Sequence, residues 1–399
     1  MIELTQGADN YQMDRSPQDP LITRSGAKRL LYVATEDWFY ATHFLPLARA
    51  ARSKGFEVVI VTRVSTYRKQ LEAEGFRLID LQADRSVFGP LALIRTIGRL
   101  RTIFIREKPA LVHAIALKSV VLGGLAARLS GAPPMVYSLT GLGYLWSTDG
   151  YAAGLLRWIV RRFLGSLDRK GASAFTFEND DDSAEFPNLR SRTVIGGWGM
   201  QADEILPQAR RNASPVLVVY LGRMLKAKGI EATVRAVEEA RGRNDIALEL
   251  WGAPDPGNLT SLSQTDLERL SERPGIAWRG RAPHARDAWR RADIAILLSD
   301  REGMPRSLIE AASAGLPLVA YDVAGCRSIV RDNVNGFLLP YGDEAAVADA
   351  LARLAAEPDL RHRLGAAARE EFEARFAADS VIPRILTIYF NLVPQPEMG

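Results

Sequence analysis

The chain has 399 residues, too many for one ordinary core, and its 47% hydrophobic and 25% charged residues are the balance of a soluble globular protein of two domains. A formal charge of +4 falls short of a dedicated nucleic-acid binder, so no nucleic-acid partner is expected. The single cysteine, Cys326, excludes an internal disulfide, and one cysteine with four histidines offers no metal-ligand cluster of familiar spacing.

Residues 1–27 are polar, lack an apolar signal core, and read as a disordered leader. No apolar run in the chain reaches transmembrane length. Order is predicted from Lys28, with a strand over 29–34, a loop over 35–40 and a helix over 42–54 closed by Gly55. A strand over 57–62, a helix over 65–74 and a strand over 76–81 follow. After them come a strand over 110–115, a helix over 118–129 and a strand over 135–140. This alternation predicts a doubly wound parallel sheet.

Two helices in this half are basic and amphipathic. In 90–108, Leu93, Ile97, Leu100 and Phe104 share one face, with Arg95, Arg99 and Arg106 roughly opposite. In 155–170, Trp158, Ile159, Phe163 and Leu164 interleave with Arg157, Arg161, Arg162, Arg169 and Lys170. Such a helix either covers the sheet with a solvated outer face or lies on an anionic membrane surface. Both readings stay open at this point.

The glycine-rich stretch 194–200 and the polar stretch 207–214 read as an interdomain linker. A second alternating unit follows. Strands are predicted over 216–221, 247–251, 276–278, 294–298, 316–321 and 335–339, and helices over 230–241, 306–314, 343–356, 360–376 and 380–392, the last carrying Pro383. The predicted domains are 28–197 and 198–379. Two doubly wound domains in series form a crevice, and ligands bind at the carboxyl ends of its strands.

The loops after the strands hold the residues suited to chemistry. Ser299 to Glu310 reads S-D-R-E-G-M-P-R-S-L-I-E, a strand end, a tight turn and a helix start. Free amides and the positive dipole end there suit a phosphate or sugar oxygen. Glu302 and Glu310 lie about two helical turns apart, so both can face one crevice. In the loop 222–229, Arg223 and Lys228 are bracketed by Gly222 and Gly229, and fixed positive charge there suits a diphosphate. His113, at the end of a strand in the first domain, would face this group across the crevice. Asp37 is either a helix-entry residue or part of the site.

These residues resemble a known family. Gly222-Arg-x4-Lys-Gly229, Glu302-Gly-Met-Pro-x-Ser-Leu-x-Glu310 and Asn335-Gly-Phe-Leu are similar to the signature of family 4 retaining glycosyltransferases with the GT-B fold. Asp37-Trp-Phe, His113, Lys118 and Thr140-Gly-Leu-Gly-Tyr resemble the branch that builds capsule, lipopolysaccharide and exopolysaccharide repeat units. The resemblance implies two Rossmann-like domains facing across a crevice, with residues 380–399 returning to the first domain. It implies that Arg223 and Lys228 stabilise a diphosphate leaving group and that Glu310 holds the ribose hydroxyls. Glu302 would hold the donor-sugar hydroxyls. The backbone amides of Gly303, Met304, Arg306 and Ser307 would face the sugar or phosphate. His113 would contact the donor sugar, with Asp37 and Gly141 also at the substrate. It implies no metal and no cofactor beyond the nucleotide-sugar donor. The acceptor implied is a polyprenyl-diphosphate-linked saccharide at the inner face of the cytoplasmic membrane. A soluble acceptor, or a catalytically idle nucleotide-sugar-binding protein, are the alternatives.

Two stretches depart from that pattern. Glu178-Asn179 stands where the branch has glutamine before asparagine, and Gly196 to Asp203 is longer than the usual short turn. Both lie near the interdomain hinge.

Overall fold

The structure is a computed structural model that describes residues 28–82, 89–147, 150–202, 205, 214–255, 257–258 and 260–393. The expected leader, the 206–213 part of the linker and residues 394–399 lie outside the described residues.

The first sheet has seven parallel strands. They are β1 (Lys28–Glu36), β2 (Phe56–Arg63), β3 (Arg77–Asp80), β4 (Leu111–Ile115), β5 (Met135–Leu139), β6 (Ser173–Phe177) and β7 (Arg192–Val194), in the order β3-β2-β1-β4-β5-β6-β7. The second sheet has six, β8 (Val216–Leu221), β9 (Ile246–Trp251), β10 (Ile276–Gly280), β11 (Ile294–Leu297), β12 (Leu318–Tyr321) and β13 (Gly336–Leu339), in the order β10-β9-β8-β11-β12-β13. The central strands are apolar and buried on both faces, as helix-covered parallel strands must be. Strand order reverses between β1 and β4 and between β8 and β11, and each reversal opens a crevice at the carboxyl ends of the strands. The architecture is the two-domain GT-B arrangement.

One face of the first sheet carries the helices Pro90–Glu107, Leu117–Arg128 and Tyr151–Leu167 in one layer. Leu100, Ile103, Phe104, Val120, Leu122, Leu164 and Leu167 share a core there. Leu167 packs against Gly124, where a Cβ would stand 2.4 Å from its Cδ1, so that glycine sets the spacing of the last two helices. The opposite face is covered by Leu45–Ser53 and by the chain's last described helix, Ala378–Leu392. Val381, Ile382, Ile385, Leu386 and Tyr389 form its apolar stripe and are buried against Tyr32, Phe44, Leu47 and Phe56. Sequence position alone would have left this helix with the second domain.

Several elements differ from the sequence expectations. The loop expected over 35–40 is the end of β1 followed directly by a helix, Asp37–His43. The long helix expected over 42–54 is broken at Phe44, and Pro46 opens the second piece, Leu45–Ser53, where its missing amide costs nothing. The helix expected over 155–170 is Tyr151–Leu167. β6 and β7 were not anticipated, because Ser173-Ala-Phe-Thr-Phe and the three residues of β7 are too short to show a period. His113 lies in the middle of β4, opposite Tyr32 of β1 and Val136 of β5; the strand ends two residues later, before Ala116 at φ 69°.

Candidate active site

The loop after β8 and the loop after β11 meet. Gly229 ends a single helical turn, Lys226–Lys228, at φ 68°. A Cβ there would stand 1.9 Å from the Leu298 carbonyl oxygen, so only glycine lets the two loops pack. The Asp300 amide donates to the Ala227 carbonyl at 3.0 Å and ties them together. This places Lys228 Nζ 2.5 Å from Glu302 Oε1, and Ser299 Oγ donates to the same oxygen at 2.6 Å. Both members of the ion pair are largely shielded from water, so each needs the other.

Arg223 leaves β8 toward a cavity of about 440 Å³, lined also by Gly222, Pro254, Asp255, Arg281 and Ala285. That volume suits a nucleotide-sized group. Arg223 Nη1 donates to Asp255 Oδ2 at 3.0 Å. The buried Tyr220 hydroxyl donates to the Arg223 carbonyl at 2.8 Å and holds the loop. Burial pushes the Tyr220 phenol far above its ordinary range, with the Glu302 charge adding to the rise.

Glu310 lies on the helix Arg306–Ser313, whose buried side includes Leu308, Ile309, Ala311 and Ala312. Its carboxylate is buried and accepts from Arg306 Nε at 2.7 Å and from Trp289 Nε1 at 3.3 Å. Trp289 belongs to the short helix Ala285–Trp289, whose first residue lines the Arg223 cavity, so Glu310 is connected to the same side of the crevice. The amides of Arg306 and Ser307 precede the first backbone bond of this helix, from Leu308 to Pro305.

The first domain closes on Gly303. Asn179 Nδ2 donates to the Gly303 carbonyl at 2.7 Å, and Gly141, at φ 89°, packs so near that a Cβ on it would stand 3.3 Å from Gly303 Cα. From behind, the Gly325 amide donates to the Glu302 carbonyl at 3.1 Å. Arg306 Nη1 reaches the Thr42 carbonyl at 2.5 Å, and Arg301 and Arg327 pair with Asp182 and Asp181 across the crevice. Met304 and Arg306 line a small cavity of about 40 Å³ at this junction, with His43, Glu178 and Trp198.

Lys228, Glu302, Gly303, Met304, Arg306, Ser307, Glu310 and Gly141 are thus gathered around one crevice, with Arg223 at its nucleotide-sized end. His113 is not. It is fully buried, with Nδ1 2.5 Å from the Tyr389 hydroxyl and Nε2 bonded to Ser138 Oγ. Burial depresses its pKa to about 3, so it is neutral and has no ring nitrogen free for a sugar. Asp37 is buried as well. Its oxygens accept from Ser65 N and Oγ, each at 2.6 Å, and from Tyr67 N at 3.0 Å. Burial alone would raise the Asp37 carboxyl, but those bonds and the Trp38 amide outweigh it and lower it. It pins the turn after β2 and does not face the crevice.

Glu178, Asn179 and Trp198, which the sequence marked only as departures near the hinge, join the site, as do Trp289 and Arg281, which it did not single out. Asn179 and Arg281 follow strand ends, which was the available signal; Trp289 carried none. Among the described residues, no group of three or more His, Cys, Asp or Glu side chains is arranged to hold a metal ion.

A further cavity, of about 320 Å³, opens at the β1–β4 reversal of the first domain. Its wall is mostly apolar, with Thr35, Glu36, Trp38, Thr96, Lys118 and Thr140 among its lining residues. The helix Pro90–Glu107 at its wall exposes Leu91, Ile94 and Ile105, and Tyr151–Leu167, in the same helix layer, exposes Tyr151, Leu155, Leu156, Trp158 and Ile159. Trp158 and Ile159, whose face the sequence left open, point to solvent, while Leu164 and Leu167 are buried.

The family described as "Glycosyl transferases group 1" matches residues 215–357, and "Glycosyl transferase 4-like" matches residues 29–169. Capsular polysaccharide biosynthesis glycosyltransferase CapM of Staphylococcus aureus is 21% identical over 370 residues, 88% of this chain and 96% of that one. N,N'-diacetylbacillosaminyl-diphospho-undecaprenol alpha-1,3-N-acetylgalactosaminyltransferase of Campylobacter jejuni is 21% identical over 371 residues, with the same two coverages. Among solved structures, Anabaena HepE in complex with UDP and glucose superposes with a TM-score of 0.73 at 16% identity, over 91% of this chain and 99% of that one. With one match on each sheet and the fold shared along the chain, the protein belongs to the family 4 glycosyltransferases of GT-B fold.

Proposed function

We propose that the protein is a retaining, metal-independent hexosyltransferase of surface-polysaccharide assembly. It moves a sugar from a nucleoside-diphosphate sugar to a polyprenyl-diphosphate-linked saccharide. The observation that carries this reading is the Lys228–Glu302 pair beside the Arg223 cavity. The nucleotide enters that cavity and Glu310 takes the ribose hydroxyls. The diphosphate lies along Arg223 and Lys228, and the sugar meets Glu302 and the amides of Gly303 and Met304. As the glycosidic bond breaks, positive charge grows on the sugar and negative charge on the departing diphosphate. Preplaced cations stabilise that state more than the ground state. The acceptor hydroxyl attacks from the face the diphosphate leaves, and a diphosphate oxygen takes its proton, so configuration is retained without an enzymic nucleophile. Arg223 and Lys228 supply the positive charge, and transfer in excess EDTA tests that no metal is needed.

The acceptor reading draws on the apolar cavity at the β1–β4 reversal, with Lys118 at its wall. The apolar and basic layer beside it suits the cytoplasmic face of a membrane, where arginines meet anionic lipid and aromatic residues sit among headgroups. Among the described residues, no helix is long and apolar enough to cross a membrane, so association would be peripheral. The Campylobacter relative is named for a lipid-linked acceptor, and HepE was solved with UDP; both support the same substrate classes here.

The test is a thermal-shift screen of UDP- and GDP-sugars, then transfer to a polyprenyl-diphosphate saccharide with the donor that binds. Glu302→Ala is expected to abolish transfer. A parent protein inactive across a broad donor and acceptor panel, or a Glu302→Ala variant as active as the parent, would overturn the reading.

A further inference from the structure

Glu178 carries a buried carboxyl at the domain junction that the reaction above does not use. It follows β6, beside Asn179, and lies in the wall of the small interdomain cavity. Its Oε1 accepts from Trp198 Nε1 at 2.7 Å. Its Oε2 is so close to the donor loop that a Cβ on Gly303 would stand 3.1 Å away. The ionisable neighbours come from each packed element. Asp182 lies on the helix Asp180–Ala184 and Glu302 on the donor loop, and both charges disfavour a carboxylate at Glu178. Asp182 is paired with Arg301, and Glu302 with Lys228, so their charges are engaged elsewhere. His43 and Arg306 line the same cavity. Arg306 is bound to Glu310, and His43 is held neutral, its pKa driven to about 4 by burial and by Arg306. Glu178 therefore has one neutral donor, Trp198, and no cation bonded to it among the described residues.

A carboxylate in that position would put a third negative charge against the donor loop, at a contact from which water is excluded. The carboxylic acid is neutral and fits without that penalty. We propose that Glu178 is a positioning residue that seats the Gly303 loop against the first domain only while it is protonated, and that its ionisation releases the closed crevice. The proposal rests on the donor reading of the Glu302–Gly303 loop. Burial, with the nearby acids, pushes the Glu178 carboxyl up to about 8 despite the Trp198 bond, which places the transition at the edge of the physiological range. The reversible step is loss of one proton to solvent; no covalent bond changes.

The experiment compares transfer rates at about pH 9 and about pH 7 within each variant. One proton with a pKa of about 8 predicts a ~10-fold fall in the parent. Glu178→Gln, neutral at every pH and similar in shape, should bring that ratio to ~1. Trp198→Phe removes the donor that favours the carboxylate and should move the alkaline limb upward, which keeps a test available if Glu178→Gln folds poorly. Infrared spectroscopy of the whole protein supplies a readout independent of turnover. A protonated-carboxyl carbonyl band should be present at neutral pH, fade through about pH 8, and be missing in Glu178→Gln. A parent without an alkaline limb, or an alkaline limb unchanged in both variants, would overturn the proposal. A protein inactive at every pH sinks the donor reading instead, and the infrared band then decides whether Glu178 is a buried acid: its absence overturns the protonation claim.

Discussion

Replacing Leu155 and Trp158 together by serine should release the protein from anionic membranes without weakening its fold. Both lie on the solvent side of Tyr151–Leu167, with relative exposures of 60% for Leu155 and 58% for Trp158. Fully burying a large apolar side chain contributes roughly 1.5–3 kcal/mol, so covering the exposed part of each by lipid contributes roughly 1–2 kcal/mol. The pair is then worth about 2–4 kcal/mol of partitioning, or roughly 30- to 700-fold in the apparent membrane affinity. Charge contributes separately. Arg95, Arg99 and Arg162 are exposed on the same helix layer, and each near an anionic surface adds ~1 kcal/mol at low salt. Flotation with liposomes of increasing anionic-lipid content measures both parts, and a salt titration separates them. Because neither side chain packs into the core, the melting temperature of the double variant should match the parent. Equal flotation of parent and variant would refute the membrane reading of this face. A variant that melts well below the parent would refute the claim that these residues face solvent.

Gly229→Ala should cost about 2–4 kcal/mol and most of the activity. The residue sits at φ 68° and its Cβ would collide with the Leu298 carbonyl, so the Lys228 loop must lift away from Glu302. Thermal unfolding with a parallel transfer assay checks this, and a stable, fully active variant would contradict the packing argument. His113→Phe should lower stability by about 1–3 kcal/mol, since it removes two buried hydrogen bonds and leaves the Tyr389 and Ser138 hydroxyls with only Tyr32 and Thr176, while the KM for donor stays near the parent value at a temperature where the variant is folded. A selective rise in that KM would return His113 to the donor site. Stability should also fall as pH rises from 4.5 toward 8. Across that window the unfolded chain has released a proton that folded Glu178, with its pKa of about 8, still binds. Denaturant unfolding of Glu178→Gln should show a flatter pH dependence, and an identical slope in both proteins would refute the assignment.

Much of the fold was legible from residues 28–392 because parallel strands buried on both faces read as unbroken apolar runs, bounded by glycines that stop the helices between them. The cluster of Lys228, Glu302, Gly303 and Glu310 was legible for a related reason. Gly229, Gly303 and the Glu302–Glu310 spacing belong to loops and a helix start whose geometry is local, so neighbours in sequence are neighbours in the site. Residues in the first domain were harder to place. His113 and Asp37 have the right chemistry at or near strand ends, yet burial and local hydrogen bonds engage every polar atom of theirs that could have met a ligand. Which side chains a returning helix covers is decided by contacts hundreds of residues apart, such as Tyr389 with His113, and no periodicity records them. The same holds for Glu178 and Asn179 against Gly303, where two domains touch. The outward turn of Trp158 and Ile159 was likewise undetermined by pattern. An amphipathic helix rich in both arginine and apolar residues has more than one face that can be buried, and the sheet beneath it chose Leu164 and Leu167.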